Sequence, residues 1–165
     1  MIEEDPCARN ARILLADPRA GWQHRGVPPR RRTDPAEGTA ALRAWAAAPD
    51  PGAVPRPTVA TAVRWSLEEL AARAPGHATE VRVPPFGVTQ CMEGPRHTRG
   101  TPPNTVEADA GTWLALVTGR LAWDDAVAAG RVRASGERAD LRSLLPLAPG
   151  LSGASAGPGP ATVEA

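Results

Sequence analysis

Residues 106–147 read V-E-A-D-A-G-T-W-L-A-L-V-T-G-R-L-A-W-D-D-A-V-A-A-G-R-V-R-A-S-G-E-R-A-D-L-R-S-L-L-P-L. Val106 and Ala108 alternate with Glu107 and Asp109, the pattern of a strand with one buried face. Asp109 then suits a helix N-cap, because its carboxylate can accept from the free N–H groups of a first turn. The helix carries Trp113, Leu114, Leu116 and Val117 and is expected to stop at Gly119, which tolerates left-handed geometry. A short helix from about Trp123 to Ala129 is expected to stop at Gly130 in the same way. Arg131 to Ala134 alternates again as a strand. Ser135-Gly136 turns it, and Glu137–Leu145 predicts a last helix with Leu141, Leu144 and Leu145 on one side, ended by Pro146.

This order of strand, two Gly-terminated helices, strand and leucine-rich segment resembles the C-terminal half of sterol carrier proteins. The matching residues are Asp109 before the first helix, Leu116, Gly119 and Leu121 in an L-x-x-G-x-L pattern, then Ala126 and Gly130. Gly136 follows at a spacing one residue longer, and the leucine-rich run is Leu141–Leu145. The preceding stretch V-R-V-P-P-F-G-V-T-Q-C-M-E-G-P-R-H-T-R-G-T-P-P-N resembles the small actinobacterial sterol-carrier-like proteins. The resemblance covers about Thr33 to Leu147. It implies an α+β fold: about four short strands in a mostly antiparallel sheet, covered on one face by helices.

Working outward, Thr58–Ala74 has the clearest helical period, with Val59, Val63, Leu67, Leu70 and Ala74 on one face. Arg64–Glu68 and Glu69–Arg73 stand at the i,i+4 spacing of ion pairs. Trp65 lies off the apolar stripe, toward a preceding helix. That helix is predicted from Asp34, a capping residue, through Pro35 at the first helical position to about Ala48, with Leu42 and Trp45 inward. Thr79–Val83 alternates Glu80 and Arg82 against Val81 and Val83, a half-buried strand. Pro84-Pro85 turns the chain into Phe86–Met92, a second strand antiparallel to the first, whose facing the sequence leaves open.

Glu93–Asn104 is a Gly/Pro-rich polar loop carrying Arg96, His97 and Arg99. Two guanidiniums and an imidazole can grip a carboxylate or phosphate. The same side chains can instead satisfy the loop's own turns or pair with Glu93 and Glu107.

The 165-residue chain has a net charge of +1, so bulk charge points to neither nucleic acid nor a membrane surface. All 19 basic residues are arginine. The 19 prolines and 16 glycines concentrate toward the two ends. Three segments are therefore expected: a disordered extension over 1–32, a sterol-carrier-like domain over 33–147, and a disordered tail over 148–165. Arg30-Arg31-Arg32 can act as a nucleic-acid or acidic-lipid arm, but Asp34 beside it weakens that footprint. Residues 27–35 resemble the start of the family branch, with Val27 where an initiator Met would stand. A GTG start codon would account for this, and residues 1–26 are then expected to have no partners in the domain. No apolar run reaches signal-peptide or transmembrane length, which points to a cytoplasmic protein.

The sequence holds no phosphate-binding or dinucleotide-binding glycine pattern and no nucleophile elbow. His24, His77 and His97 lie in unlike contexts, and Cys7 and Cys91 form no C-x-x-C pair, so no metal and no cofactor is expected. Asp124-Asp125 is read as first-turn acid complementing a helix dipole. Cys91 is read as an inert buried thiol.

By the resemblance, the first functional expectation is a non-catalytic carrier of a lipid or other apolar small ligand. The expected wall is Val81, Val83, Val88, Val106, Trp113, Leu116, Val117, Val127, Val132, Leu141 and Leu144, with Arg96, His97 and Arg99 as a polar mouth. The same apolar residues can equally close-pack a solid core. The alternative expectation is an accessory domain that docks on a partner enzyme, as sterol-carrier-like domains do in maleylpyruvate isomerase relatives.

Overall fold

Asp34 starts the first helix as its side chain predicts: its carboxylate accepts from the N–H groups of Ala36 and Glu37. The computed structural model describes residues 31–94 and 104–151. Helix α1 is Pro35–Ala47 and α2 is Arg56–Arg73. A 3-10 turn, Pro51–Ala53, joins them, with Asp50 accepting from Gly52 N. The second helix begins two residues before Thr58, because Pro57 sits in its first turn, where no N–H is needed.

The two helices approach most tightly where a glycine of α1 meets a tryptophan of α2. A Cβ on Gly38 would overlap Cβ, Cγ and Cδ1 of Trp65. Trp65, off the apolar stripe of α2, is buried there against α1. In an exposed helix, Gly→Ala stabilises by about 1 kcal/mol. Here the overpacking penalty, ~1–3 kcal/mol, falls on the stem of a tryptophan that cannot swing aside. Gly38→Ala is therefore expected to lower the urea midpoint. A variant as stable as the parent would mean that the helices can part without loss.

The opposite flank of α2 departs from helical spacing. Glu69 and Arg73 pair at 2.9 Å. Arg64 and Glu68 do not form the expected pair. Arg64 Nε donates to Phe86 O at 3.3 Å. Glu68 instead accepts from the backbone N–H groups of Arg32 and Thr33 and from Thr33 Oγ. A fixed backbone donor holds a carboxylate at less entropic cost than a long mobile side chain does. With Arg31 Nη2 placed 2.8 Å from Glu69, these bonds tie residues 31–33 to α2.

The sheet has four strands: β1 Thr79–Val83, β2 Gly87–Cys91, β3 Thr105–Ala108 and β4 Val132–Ser135. Their order is β2-β1-β3-β4. β1 pairs antiparallel with β2 and parallel with β3, and β3 pairs antiparallel with β4. The architecture is α+β, as expected. Registered neighbours Thr79↔Cys91, Val81↔Val106 and Ala108↔Val132 share the inner face, and all six are buried. On the outer face Val88, Arg82, Glu107 and Arg133 form a row across all four strands. The facing of β2 is thus settled: Cys91 points in and Val88 points out, 61% exposed.

Helix α3 is Ala110–Thr118, capped by Asp109 and closed by Gly119 at φ 76°. Helix α4 is Trp123–Ala128, followed by Gly130 at φ 67°. The last helix, expected over Glu137–Leu145, is absent. Gly136 turns at φ 99°. The N–H of Arg138 then goes to Asn104 Oδ1 and its carbonyl accepts from Thr79 Oγ. Asp140 takes the N–H of Arg142 on its own side chain. Backbone groups committed to the sheet end and to an Asx turn cannot join an i→i−4 ladder. Leu141 and Leu147 are nevertheless fully buried, so the apolar spacing in this run reports burial without a helix.

Candidate functional site

Eight of the expected wall residues lie in one apolar cluster. Val81 and Val83 come from β1, Val106 from β3, Val132 from β4, Trp113, Leu116 and Val117 from α3, and Leu141 from the irregular segment after β4. Leu144 is half-buried against the same cluster. Helix α2 adds Val63, Leu67 and Leu70, and α1 adds Leu42 and Trp45. These five share the interior but were absent from the expected wall, although their helical spacing had placed them on inward faces.

Two expected wall residues are elsewhere. Val88 is on the outer face of the sheet, away from the helices. Val127 is 41% exposed, because α4 is one and a half turns long and only Trp123 and Ala126 turn inward. The expected mouth residues Arg96, His97 and Arg99 lie outside the described residues.

Among the described residues Trp65 Nε1 is the one buried side-chain nitrogen or oxygen without a hydrogen-bond partner; the other polar groups of the cluster are matched. Trp113 Nε1 donates to Ser66 Oγ at 2.8 Å, and Ser66 in turn donates to Val63 O. Thr118 donates to Leu114 O, closing its hydroxyl into its own helix. Burial pushes the Cys91 thiol up to about 11, so it stays protonated at neutral pH and is a poor nucleophile. Asp124 pairs with Arg142 at 2.8 Å on the surface, as a first-turn carboxylate can without any catalytic role.

A separate polar cleft of about 380 Å³ opens where β1 and β3 end and β4 begins. Pro84, Glu107, Ala108, Asp109, Gly130, Arg131 and Arg133 border it. The pieces come from three separate parts of the chain, and sequence reasoning missed it. Its charges answer one another: Arg133 lies 3.9 Å from Glu107, and Arg131 Nε reaches Thr112 Oγ at 3.2 Å. Both Asp109 oxygens are occupied, Oδ1 by Thr112 N and Oδ2 by Thr112 Oγ at 2.6 Å. Burial opposes the Asp109 charge, but the bonds from Thr112 and Gly111 and the nearby Arg131 outweigh it and hold the carboxyl below its usual range. Such a carboxylate caps a helix well and takes up a proton badly, so it makes a weak general base. Among the described residues no group of three His, Cys, Asp or Glu side chains is placed to hold a metal ion. Nor is any described helix long and apolar enough to cross a membrane.

Residues 55–147 match the model of a protein family described as bacterial SCP ortholog, SCP denoting sterol carrier protein. The match runs from the start of α2 through the whole sheet to Leu147. Helix α1, packed on α2, precedes it. No curated protein matches the chain.

Proposed function

The chain belongs to the bacterial sterol-carrier-like family, and from that premise we propose that it is a non-catalytic carrier which takes an apolar chain between its sheet and helices α2 and α3. One observation carries the reading. The apolar cluster is walled on its third side by Leu144, Leu145 and Leu151, which are only partly buried and belong to neither an α-helix nor a strand. Backbone–backbone bonding from Leu147 and Ala148 to α3 is limited to Ala148 N to Val117 O, at 2.9 Å. That wall can shift to admit a ligand without breaking a strand ladder or a long helix. Each methylene of a ligand chain buried there contributes about 0.8 kcal/mol.

Native mass spectrometry of the protein from its own cells tests the reading. A retained mass that extracts into organic solvent as a lipid is the expected result. A bare chain that also takes up no added fatty acid would overturn it, and would leave docking on a partner enzyme as the domain's role.

A further inference from the structure

Trp65 of α2 and Trp113 of α3 both lie in the apolar cluster, and their indole N–H groups fare differently. Trp113 Nε1 donates to Ser66 Oγ. Trp65, the residue before that serine, is 8% exposed. Its Nε1 is buried and, among the described residues, has no acceptor. The indole atoms Cγ and Cδ1 pack on Gly38, and Nε1 is bonded to Cδ1, so the N–H edge lies along α1. The α1 carbonyls of that turn are committed: Asp34 O accepts from Gly38 N, and Pro35 O from Thr39 Oγ1. A buried donor without an acceptor is destabilising, and native interiors hold few. A trapped water is a poor answer to it. Such a water makes about three hydrogen bonds, and no other buried side-chain nitrogen or oxygen among the described residues is unmatched.

We infer that Trp65 Nε1 is the hydrogen-bond donor to the polar end of the cargo, and that this end is an uncharged oxygen acceptor: an ester or ketone carbonyl, or a hydroxyl. The inference rests on the carrier reading and names what that site recognises. The Trp65 ring belongs to the same cluster as Leu42, Trp45 and Leu67, so a hydrocarbon chain lying in the cluster can bring its polar end to this N–H. One neutral donor in an apolar wall suits one neutral acceptor. A buried carboxylate or phosphate needs a paired charge or several donors. Glu68 and Glu69 stand three and four residues beyond Trp65, on its own flank of α2. Glu69 already holds Arg31 and Arg73, and Glu68 holds the N–H groups of Arg32 and Thr33. That flank therefore repels an anion and favours an uncharged end.

Proton–nitrogen NMR of the isotope-labelled full chain tests it, with the Trp65 indole signal assigned on the parent itself. The probes are methyl laurate, dodecane and laurate. Methyl laurate is expected to move the Trp65 indole proton downfield, the mark of a new acceptor, and dodecane to bind without doing so. Laurate is expected to bind more weakly than its methyl ester. Trp65→Phe keeps an aromatic ring and removes the donor. It is expected to weaken methyl laurate about fivefold to tenfold, the worth of one hydrogen bond, and to leave dodecane as it was. Circular dichroism checks that the variant folds, and the parent's spectrum decides the matter if it does not.

An indole signal unmoved by bound ester, equal shifts with ester and alkane, or tighter binding of laurate than of its ester overturns the inference and leaves the carrier reading standing. A Trp65 indole proton already downfield in the free chain overturns it too, since an acceptor would then be present throughout. So does uptake of none of the probes, and a chain that also comes bare from its cells fails the carrier reading as well.

Discussion

Trp113→Ala is expected to destabilise the protein by about 3–5 kcal/mol, the usual cost of emptying a large buried aromatic site. Trp113 has no exposed surface, and from α3 it reaches α2 inside the apolar cluster. Its indole N–H is also the partner of Ser66 Oγ at 2.8 Å, so the alanine variant leaves a hole and removes the donor to a buried hydroxyl. Ser66 still donates to Val63 O, which limits the polar part of the loss. Two milder variants separate the terms. Trp113→Phe keeps most of the ring and loses the bond. Ser66→Ala keeps the ring and strands the indole N–H, at about 1–3 kcal/mol. Urea unfolding followed by circular dichroism reads all three. A midpoint for Trp113→Ala equal to the parent's would show that this residue is not the keystone of the interface.

The parts of the fold legible in sequence are those fixed by local chemistry. Asp34 and Asp109 cap α1 and α3, and Gly119 and Gly130 lie just past the ends of α3 and α4 at positive φ, each effect acting within a few residues. The alternation at Thr79–Val83 gives the inward face because the neighbours Glu80 and Arg82 are charged. Gly87–Cys91 has no such contrast, and its outward Val88 became clear only through the register with Arg82. The parallel pairing of β1 with β3 was not legible either, since it depends on where the long connection returns.

The expected helix over Glu137–Leu145 failed for a different reason. Its leucines do have inward spacing, and Leu141 is buried. What the period cannot express is competition from distant acceptors: Asn104 and Thr79 take both backbone groups of Arg138. The same competition moved Arg64 and Glu68 away from each other, toward backbone partners that lie 22 and 35 or more residues away. For the candidate site, periodicity found most of the buried cluster because inward spacing reports burial in strands and long helices. It failed at Val127 because a six-residue helix has too little face for spacing to assign. The polar cleft around Asp109 escaped notice because its residues converge only through the sheet topology.

Asn104 is the residue whose weight the sequence concealed most. It reads as the last polar residue of a Pro-rich loop, yet it is buried and joins three segments. Its Nδ2 donates to Ala78 O at 2.7 Å, its Oδ1 accepts from Arg138 N at 3.0 Å, and its own carbonyl accepts from Glu80 N. Asn104→Ala is expected to cost about 2–6 kcal/mol, because it strands the buried Ala78 carbonyl and the part-buried Arg138 N–H at about 1–3 kcal/mol each. Asn104→Asp keeps the acceptor for Arg138 N but sets a carboxylate against the Ala78 carbonyl, so it should not rescue. The effect should also be local. The segment after β4 hangs from the Arg138 bond and carries Leu141 and Leu147 into the core, so its amides should exchange faster in Asn104→Ala than those of α2 do. Hydrogen exchange by mass spectrometry reads this directly. If stability and exchange both match the parent's, Asn104 does not pin that segment. If both change as expected, the irregular wall proposed to admit a ligand is held at one end by this side chain, and retained lipid in the same variant should fall with it.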